Sequence, residues 1–282
     1  MLVAVAYAVL SVVQLHPPRV LGATASHTKI AVPISDDLSI TLLEAAMPAQ
    51  EALVNEALSS TAPIGTKEDD PYGCVLWPAA QVVAASIAGL PDADVRDASF
   101  LELGAGTGLC SLTALARGAS KALATDYREE PLALMRESAL ALPETTAGLL
   151  ETQIFDIKGV SDALPNGYDY VVAADLLYMR STSVALARRC VEALRAARPC
   201  KEVIVGDLGR PGRGAFLEEL VKLGVSKERA AFIEVEGWMP GSPRHELVAT
   251  TGASASQQSA DDGATPVSVG LLRLKPDDLV AI

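Results

Sequence analysis

The run Phe100-Leu101-Glu102-Leu103-Gly104-Ala105-Gly106-Thr107-Gly108-Leu109 constrains this chain more than any other stretch. It reads as a short apolar strand feeding a glycine-rich turn, after which Cys110 to Ala116 predicts a helix. Glycines let such a turn take positive φ and bring backbone N–H groups close to a bound group. The following helix aims its positive dipole end at the same point. A second apolar strand, Lys121 to Thr125, comes next and ends in Asp126.

An acidic side chain at the tip of the second strand, about twenty residues past the glycines, is where dinucleotide folds place the carboxylate that grips ribose hydroxyls. An adenosyl cofactor is the natural occupant. A nicotinamide cofactor would require G-x-G-x-x-G, but here the third glycine falls one position early, at Gly108, and Leu109 stands where Gly or Ala is needed. No obvious Tyr-x-x-x-Lys pair supports a reductase either. Glu102-Leu103-Gly104-Ala105-Gly106-Thr107-Gly108 instead resembles the E/D-x-G-x-G-x-G cofactor loop of class I S-adenosylmethionine-dependent methyltransferases.

Further stretches extend the resemblance. Gly73-Cys74-Val75-Leu76-Trp77-Pro78-Ala79-Ala80 runs into a helix over Gln81 to Gly89, with Pro78 placed to open it. Trp77 taken alone is as well explained as a packing anchor. Together with the glycine loop and Asp126, however, the pattern is similar to the seven-β-strand lysine methyltransferases of methyltransferase family 16. That resemblance implies that Trp77 lies against the bound cofactor. Leu149 to Phe155 predicts a third strand closed by Asp156, whose carboxylate can accept a hydrogen bond from the adenine amino group. Relatives often have Asp-Trp here; this chain has Asp156-Ile157, which predicts an aliphatic cover for the ring.

The fourth strand, Tyr168 to Ala174, enters Asp175-Leu176-Leu177-Tyr178, matching the D-x-x-Y/F signature of the same family. Gly104, Asp126, Asp156 and Asp175 all fall at strand ends, where the ligand crevice of an open parallel sheet lies. The resemblance therefore implies Asp175 and Tyr178 as catalytic residues. It implies Trp77, Glu102, Gly104, Ala105, Gly106, Gly108, Asp126, Asp156, Ile157 and Ala174 as binding S-adenosylmethionine. Gly206-Asp207-Leu208-Gly209-Arg210 is similar to a stretch in the subset that methylates an electron-transfer flavoprotein subunit, with Leu208 in place of the usual proline. Arg210 and Arg213 read as solvated, with substrate gripping the lesser alternative.

Strands alternating with helices predict a doubly wound α/β sheet. The resemblance makes it the Rossmann-like seven-stranded sheet of class I methyltransferases, over residues 72–277, with a closing antiparallel strand at Val267 to Leu274. Helices are expected over Glu129 to Leu142, burying Leu132, Met135 and Leu140 and ended by Pro143, over Ser181 to Arg195 with Ser and Thr as caps, and over Phe216 to Leu223. Strands five and six are expected over Glu202 to Gly206 and Ala231 to Val235. The N-terminal extension, 26–71, predicts a β-hairpin from Lys29 to Leu43 and a helix from Pro48 through Leu58. Thr250 to Pro266 reads as a flexible insert.

The first 35 residues contain no Asp or Glu, and Leu2 to Val13 is an apolar run too short to span a bilayer comfortably. Residues 1–25 leave open a cleaved leader, a misassigned start and a buried strand. A cytoplasmic protein is expected, or a plastid or mitochondrial one if that leader is cleaved. The formal charge of −12, without a Lys/Arg cluster, argues against a nucleic-acid partner. Cys74, Cys110, Cys190 and Cys200 lack zinc spacing and read as reduced core residues, and three histidines are too scattered for a metal site. The expected protein is a monomer without a membrane span that methylates a protein lysine. A small-molecule N-methyltransferase and a non-catalytic adenosyl-binding scaffold remain alternatives.

Overall fold

The computed structural model describes residues 20–23, 27–46, 71–159, 162–238 and 266–280. Its centre is a seven-stranded sheet built from β4 (Ser99–Leu103), β5 (Lys121–Asp126), β6 (Leu150–Ile154), β7 (Tyr170–Ala174), β8 (Glu202–Asp207), β9 (Ile233–Trp238) and β10 (Pro266–Leu274). The spatial order is β6-β5-β4-β7-β8-β10-β9. The first five strands in that order are mutually parallel, and β10 inserts antiparallel between β8 and β9. The order reverses direction between β4 and β7, the switch point where doubly wound sheets open a crevice.

Central strands of a parallel sheet are covered on both faces and so read as continuous apolar runs; every residue of β4 and β8 is buried. Along these strands alternate side chains serve two cores. Leu101, Leu103, Val171, Ala173, Val203 and Val205 pack with α6 (Arg180–Arg195) and α7 (Arg213–Lys222). Phe100, Ala122, Tyr170, Val172 and Ile204 face α1 (Pro78–Ala88) and α3 (Leu109–Ala116). Short α2 (Asp92–Val95) and α5 (Glu144–Ala147) and the longer α4 (Glu129–Ala139) complete the helices. All four cysteines are buried and unbridged.

The N-terminal extension forms a separate antiparallel sheet of β1 (Val20–Ala23), β2 (His27–Ser35) and β3 (Leu38–Ala45). Val20–Ala23, within the segment whose sequence leaves open a leader, a misassigned start and a buried strand, pairs with β2 as a strand. In β2 the period is two: Ile30, Val32 and Ile34 are buried, and the residues between them are exposed. That face packs on Leu76, Ala84, Leu109, Leu112 and Ala139, laying a third layer over α1, α3 and α4. Helix α1 lies between two sheets, which explains why its apolar residues encircle it rather than forming one stripe.

Glu44, near the end of β3, is 9 % exposed and accepts from Leu76 N at 3.2 Å. Burial pushes its carboxyl up to about 7. The folded protein therefore holds this proton more tightly than the unfolded chain, and stability falls as pH rises from the unfolded carboxyl's range towards 7. Glu44→Gln keeps an acceptor for Leu76 N without the charge. It should raise stability at pH 8 by about 3 kcal/mol and leave it nearly unchanged near pH 4.5, measured by urea unfolding at both.

Three local expectations require correction. Leu140 is 77 % exposed, because Leu132, Met135 and Ala139 form the buried stripe of α4 and residue 140 lies about 100° off it. The helix ends at Ala139, before Pro143 can act. Helix α6 starts at Arg180 behind Met179 with no side-chain cap, so Ser181 and Thr182 lie within its first turn. Ser183 Oγ instead donates to Met179 O at 2.7 Å. The expected Pro48 helix lies outside the described residues, as does the 250–266 insert up to residue 265. Among the described residues no helix is long and apolar enough to cross a membrane.

Candidate functional site

Strand register sets the site. Leu103 stands opposite Thr125 on one side and Ala173 on the other. Gly104, Asp126 and Ala174 therefore continue one row at the carboxyl edge, with Asp175 one residue further. The ladders run into the loops: Ala105 N donates to Thr125 O at 2.8 Å, Asp175 N to Gly206 O at 3.0 Å, and Phe155 N to Asp126 O at 2.8 Å. Asp156 and Ile157 follow directly, with Ile157 buried and Asp156 Oδ1 accepting from Lys158 N at 3.0 Å.

The glycine loop takes the conformation its composition predicts. Gly104, Gly106 and Gly108 have φ of 62°, 52° and 76°. At Gly104 a Cβ would also lie 2.5 Å from Leu176 Cδ2, so the β7 loop closes directly over this turn. At Gly106 it would lie 3.1 Å from Gly73 O, which places the 3₁₀ turn Pro71–Cys74 against the loop from another side. Asp126 Oδ2 accepts from Gly106 N at 3.1 Å and Oδ1 from Arg128 N at 3.1 Å. The carboxylate thus braces the loop from the neighbouring strand end. Glu102 is 2 % exposed, and its Oε2 accepts from Ser111 N at 2.9 Å and Ser111 Oγ at 2.5 Å. It ties β4 to the first turn of α3, and burial raises its pKa.

Asp175 has a left-handed backbone, φ 58°, which Asp tolerates better than most residues. Its Oδ2 accepts from Ala79 N in the first turn of α1 at 3.1 Å. Its Oδ1 lies 3.5 Å from Arg210 Nε, with the carboxylate 3 % exposed. Burial outweighs Arg210 and the Ala79 N–H and pushes its pKa up to about 6, with Asp207 adding to the rise. Trp77 is the N-cap residue of α1, and the Arg210 guanidinium sits 4.9 Å from its ring centroid. Tyr178 is half-buried, three residues beyond Asp175.

Arg210 and Arg213 are not solvated; their side chains are 18 % and 21 % exposed. Arg213 Nε donates to Asp207 Oδ2 at 2.7 Å, NH2 to Asp207 O at 2.7 Å and NH1 to Glu234 at 2.5 Å. The pairing of Arg210 with Asp175 had no local signal, because the two meet only where β7 and β8 become neighbours. Asp207 was better signalled, since Asp-x-Gly is a turn in which the carboxylate caps its own following backbone.

Chemically, the edge presents a glycine turn able to receive an anionic or polar group, a braced carboxylate beside it, and a nearly buried carboxylate flanked by an arginine that stacks on an aromatic ring. Among the described residues no group of three or more His, Cys, Asp or Glu is placed to hold a metal ion. A cavity of about 470 Å³ between loop 163–168 and the last turn of α6 lies at the opposite edge of the sheet and includes none of these residues.

Comparison with known proteins yields a match to the lysine methyltransferase family over residues 59–214, more than half of the 282 residues. The electron transfer flavoprotein beta subunit lysine methyltransferases of Rattus norvegicus and Homo sapiens are 31 % identical over 145 residues, 50 % of this chain and 52 % and 51 % of theirs. The chain spans about half the length of the curated relatives it matches. Among solved structures, the ribosomal protein L11 methylase of Lactobacillus delbrueckii subsp. bulgaricus superposes with a TM-score of 0.42 at 15 % identity, covering 85 % of this chain and 97 % of that one. An S-adenosylmethionine-dependent methyltransferase from Mesorhizobium loti gives 0.35 at 24 % identity, covering 46 % and 53 %.

Proposed function

The chain belongs to the lysine methyltransferase family, and on that premise we propose that it transfers a methyl group from S-adenosylmethionine to the side-chain amine of a protein lysine. The observation that carries this reading is the row of Gly104, Asp126 and Ala174-Asp175 at one sheet edge, with the Asp126 carboxylate bonded to the glycine turn itself. Residues 72–277 form the catalytic unit in this reading, and the N-terminal sheet is its outer layer.

The residues present fit an adenosyl cofactor. The Asp126 carboxylate stands at the tip of the second strand and accepts from Gly106 N of the glycine turn, the placement from which a carboxylate in dinucleotide folds reaches ribose hydroxyls. The turn from Gly104 through Ala105 and Gly106 to Gly108, its three glycines at positive φ, would hold the methionine end, with Glu102 tying β4 to the helix that follows the turn. Asp156 would accept from the adenine amino group and Ile157 would cover the ring, while Trp77 and Ala174 would line the remaining wall.

When bound, the sulfonium supplies an electrophilic methyl group for in-line displacement, which asks the protein chiefly for alignment. Asp175 orients the acceptor amine or the cofactor's own amino group, and Tyr178 lines the transfer channel. A free lysine has a pKa of about 10.4 and must shed a proton before attack. Burial beside a second cation lowers that value, and water carries the proton away.

Removing the Asp126 side chain tests the cofactor half of the reading. Asp126→Ala should weaken S-adenosylmethionine binding about tenfold or more in calorimetry, since two hydroxyls lose a charged acceptor; an unchanged dissociation constant would refute ribose binding. Incubating the protein with methyl-labelled cofactor and a cell lysate tests the acceptor half. Labelled protein bands whose label resides on lysine are expected. Label confined to soluble metabolites would favour a small-molecule acceptor, and binding without transfer to any fraction a scaffold.

A further inference from the structure

Two arginines leave the same loop after β8, and they are held in opposite ways. Arg213 makes hydrogen bonds to Asp207 and Glu234 through all three nitrogens and stacks 4.6 Å from the Phe232 ring centroid. Arg210 approaches Asp175 Oδ1 at 3.5 Å, beyond good hydrogen-bond range, and otherwise rests on the Trp77 ring. Arg210 Nε and Asp175 Oδ1 are both buried without a hydrogen-bond partner among the described residues. A buried charge pair that fails to bond directly loses much of the gain that should offset its desolvation. The backbone beneath Arg210 is nonetheless fixed, because Arg210 N donates to Asp207 Oδ2 at 3.1 Å. The side chain can therefore leave without moving the loop.

We propose that Arg210 is a resident counter-cation which neutralises Asp175 and is displaced by the ammonium group of an incoming ligand. The proposal rests on the reading of Asp175 as the residue that receives an amine. A compact ammonium carries three donors and can approach a carboxylate oxygen at hydrogen-bond distance, which Arg210 does not do here. Displacement exchanges one positive charge for another, so a cation can enter where a neutral isostere would leave either a clash with Arg210 or an uncompensated carboxylate. Arg210 thereby acts through Asp175 as a positioning and specificity residue. The charged groups facing Asp175 are Arg210 and Asp207.

The test uses n-butylammonium, a lysine side-chain mimic, titrated against the full chain at pH 8 by ligand-observed NMR, with n-butanol as the neutral control. Arg210→Ala should bind n-butylammonium at least fivefold more tightly than the wild type, Arg210→Lys should return to within about twofold of it, and n-butanol should bind equally weakly to all. Retention of amine binding under saturating S-adenosylhomocysteine would assign the ammonium to the acceptor; competition would assign it to the cofactor's amino group. Equal amine affinity in wild type and Arg210→Ala, with loss in Asp175→Asn, would overturn displacement while leaving the reading of Asp175 intact. Amine binding that is absent, or indifferent to Asp175→Asn, would overturn both. Arg210→Lys binding as tightly as Arg210→Ala would also overturn displacement, since a competing cation would then make no difference.

Discussion

Asp175→Asn is expected to remain folded and to lose at least about 10²-fold in turnover at pH 8, the scale on which misplacing a reacting group costs rate. The asparagine keeps a carbonyl for Ala79 N and a residue type that tolerates the left-handed backbone at φ 58°. It removes only the negative charge. Asp175→Ala is a poorer test than the motif alone implies. Alanine at this φ is strained, and the buried Ala79 N–H loses its acceptor, so the melting temperature should fall along with activity. In the wild type the raised pKa of Asp175 predicts an acid limb in the rate profile near pH 6, where the carboxylate is lost. That limb should be missing from the residual activity of Asp175→Asn. Equal turnover in variant and wild type would discard the assignment.

Asp207→Ala should cost stability on the scale of breaking a buried ion pair, about 3–5 kcal/mol. The side chain is 0 % exposed and accepts from Gly209 N at 2.8 Å, Arg210 N at 3.1 Å and Arg213 Nε at 2.7 Å. Three donors, one of them a guanidinium, would be stranded. The loss would also reach the site. The loop it shapes delivers Gly212, whose N–H donates to Leu177 O at 2.9 Å and whose missing Cβ would lie 2.6 Å from that oxygen. Leu177 belongs to the segment that carries Asp175 and Tyr178. Denaturant unfolding with an unchanged m-value should show the drop, and a loss below about 1 kcal/mol would mean that the clamp is dispensable.

The elements that could be read in advance are those whose physics is local. The glycine turn after β4 needs positive φ, and only glycine supplies it freely; the strand-then-helix alternation is written in short continuous apolar runs separated by helix-length segments. Asp126, Asp156 and Asp175 stand at strand ends because polar residues stop apolar runs. The helix ends were read less well: Leu140 was placed on the buried face by its hydrophobicity, whereas the 100° step between residues sends it to solvent. Ser181 and Thr182 looked like caps, yet the helix begins before them.

What no window of the chain contained is how distant charges pair. Arg210 meets Asp175 because β7 and β8 are neighbours in register, Ala174 opposite Gly206, and it meets Trp77 because α1 crosses that same edge. Glu44 acquires its raised pKa only once the N-terminal sheet is laid over α1 and removes it from water. The amino-acid order alone carries the kind of fold and the positions where its strands end, since backbone preference and hydrophobic patterning act over a few residues. Which side chains are buried together, and hence their charge and mobility, follows from long-range packing, because desolvation and Coulomb energy depend on neighbours that the chain brings together only when folded.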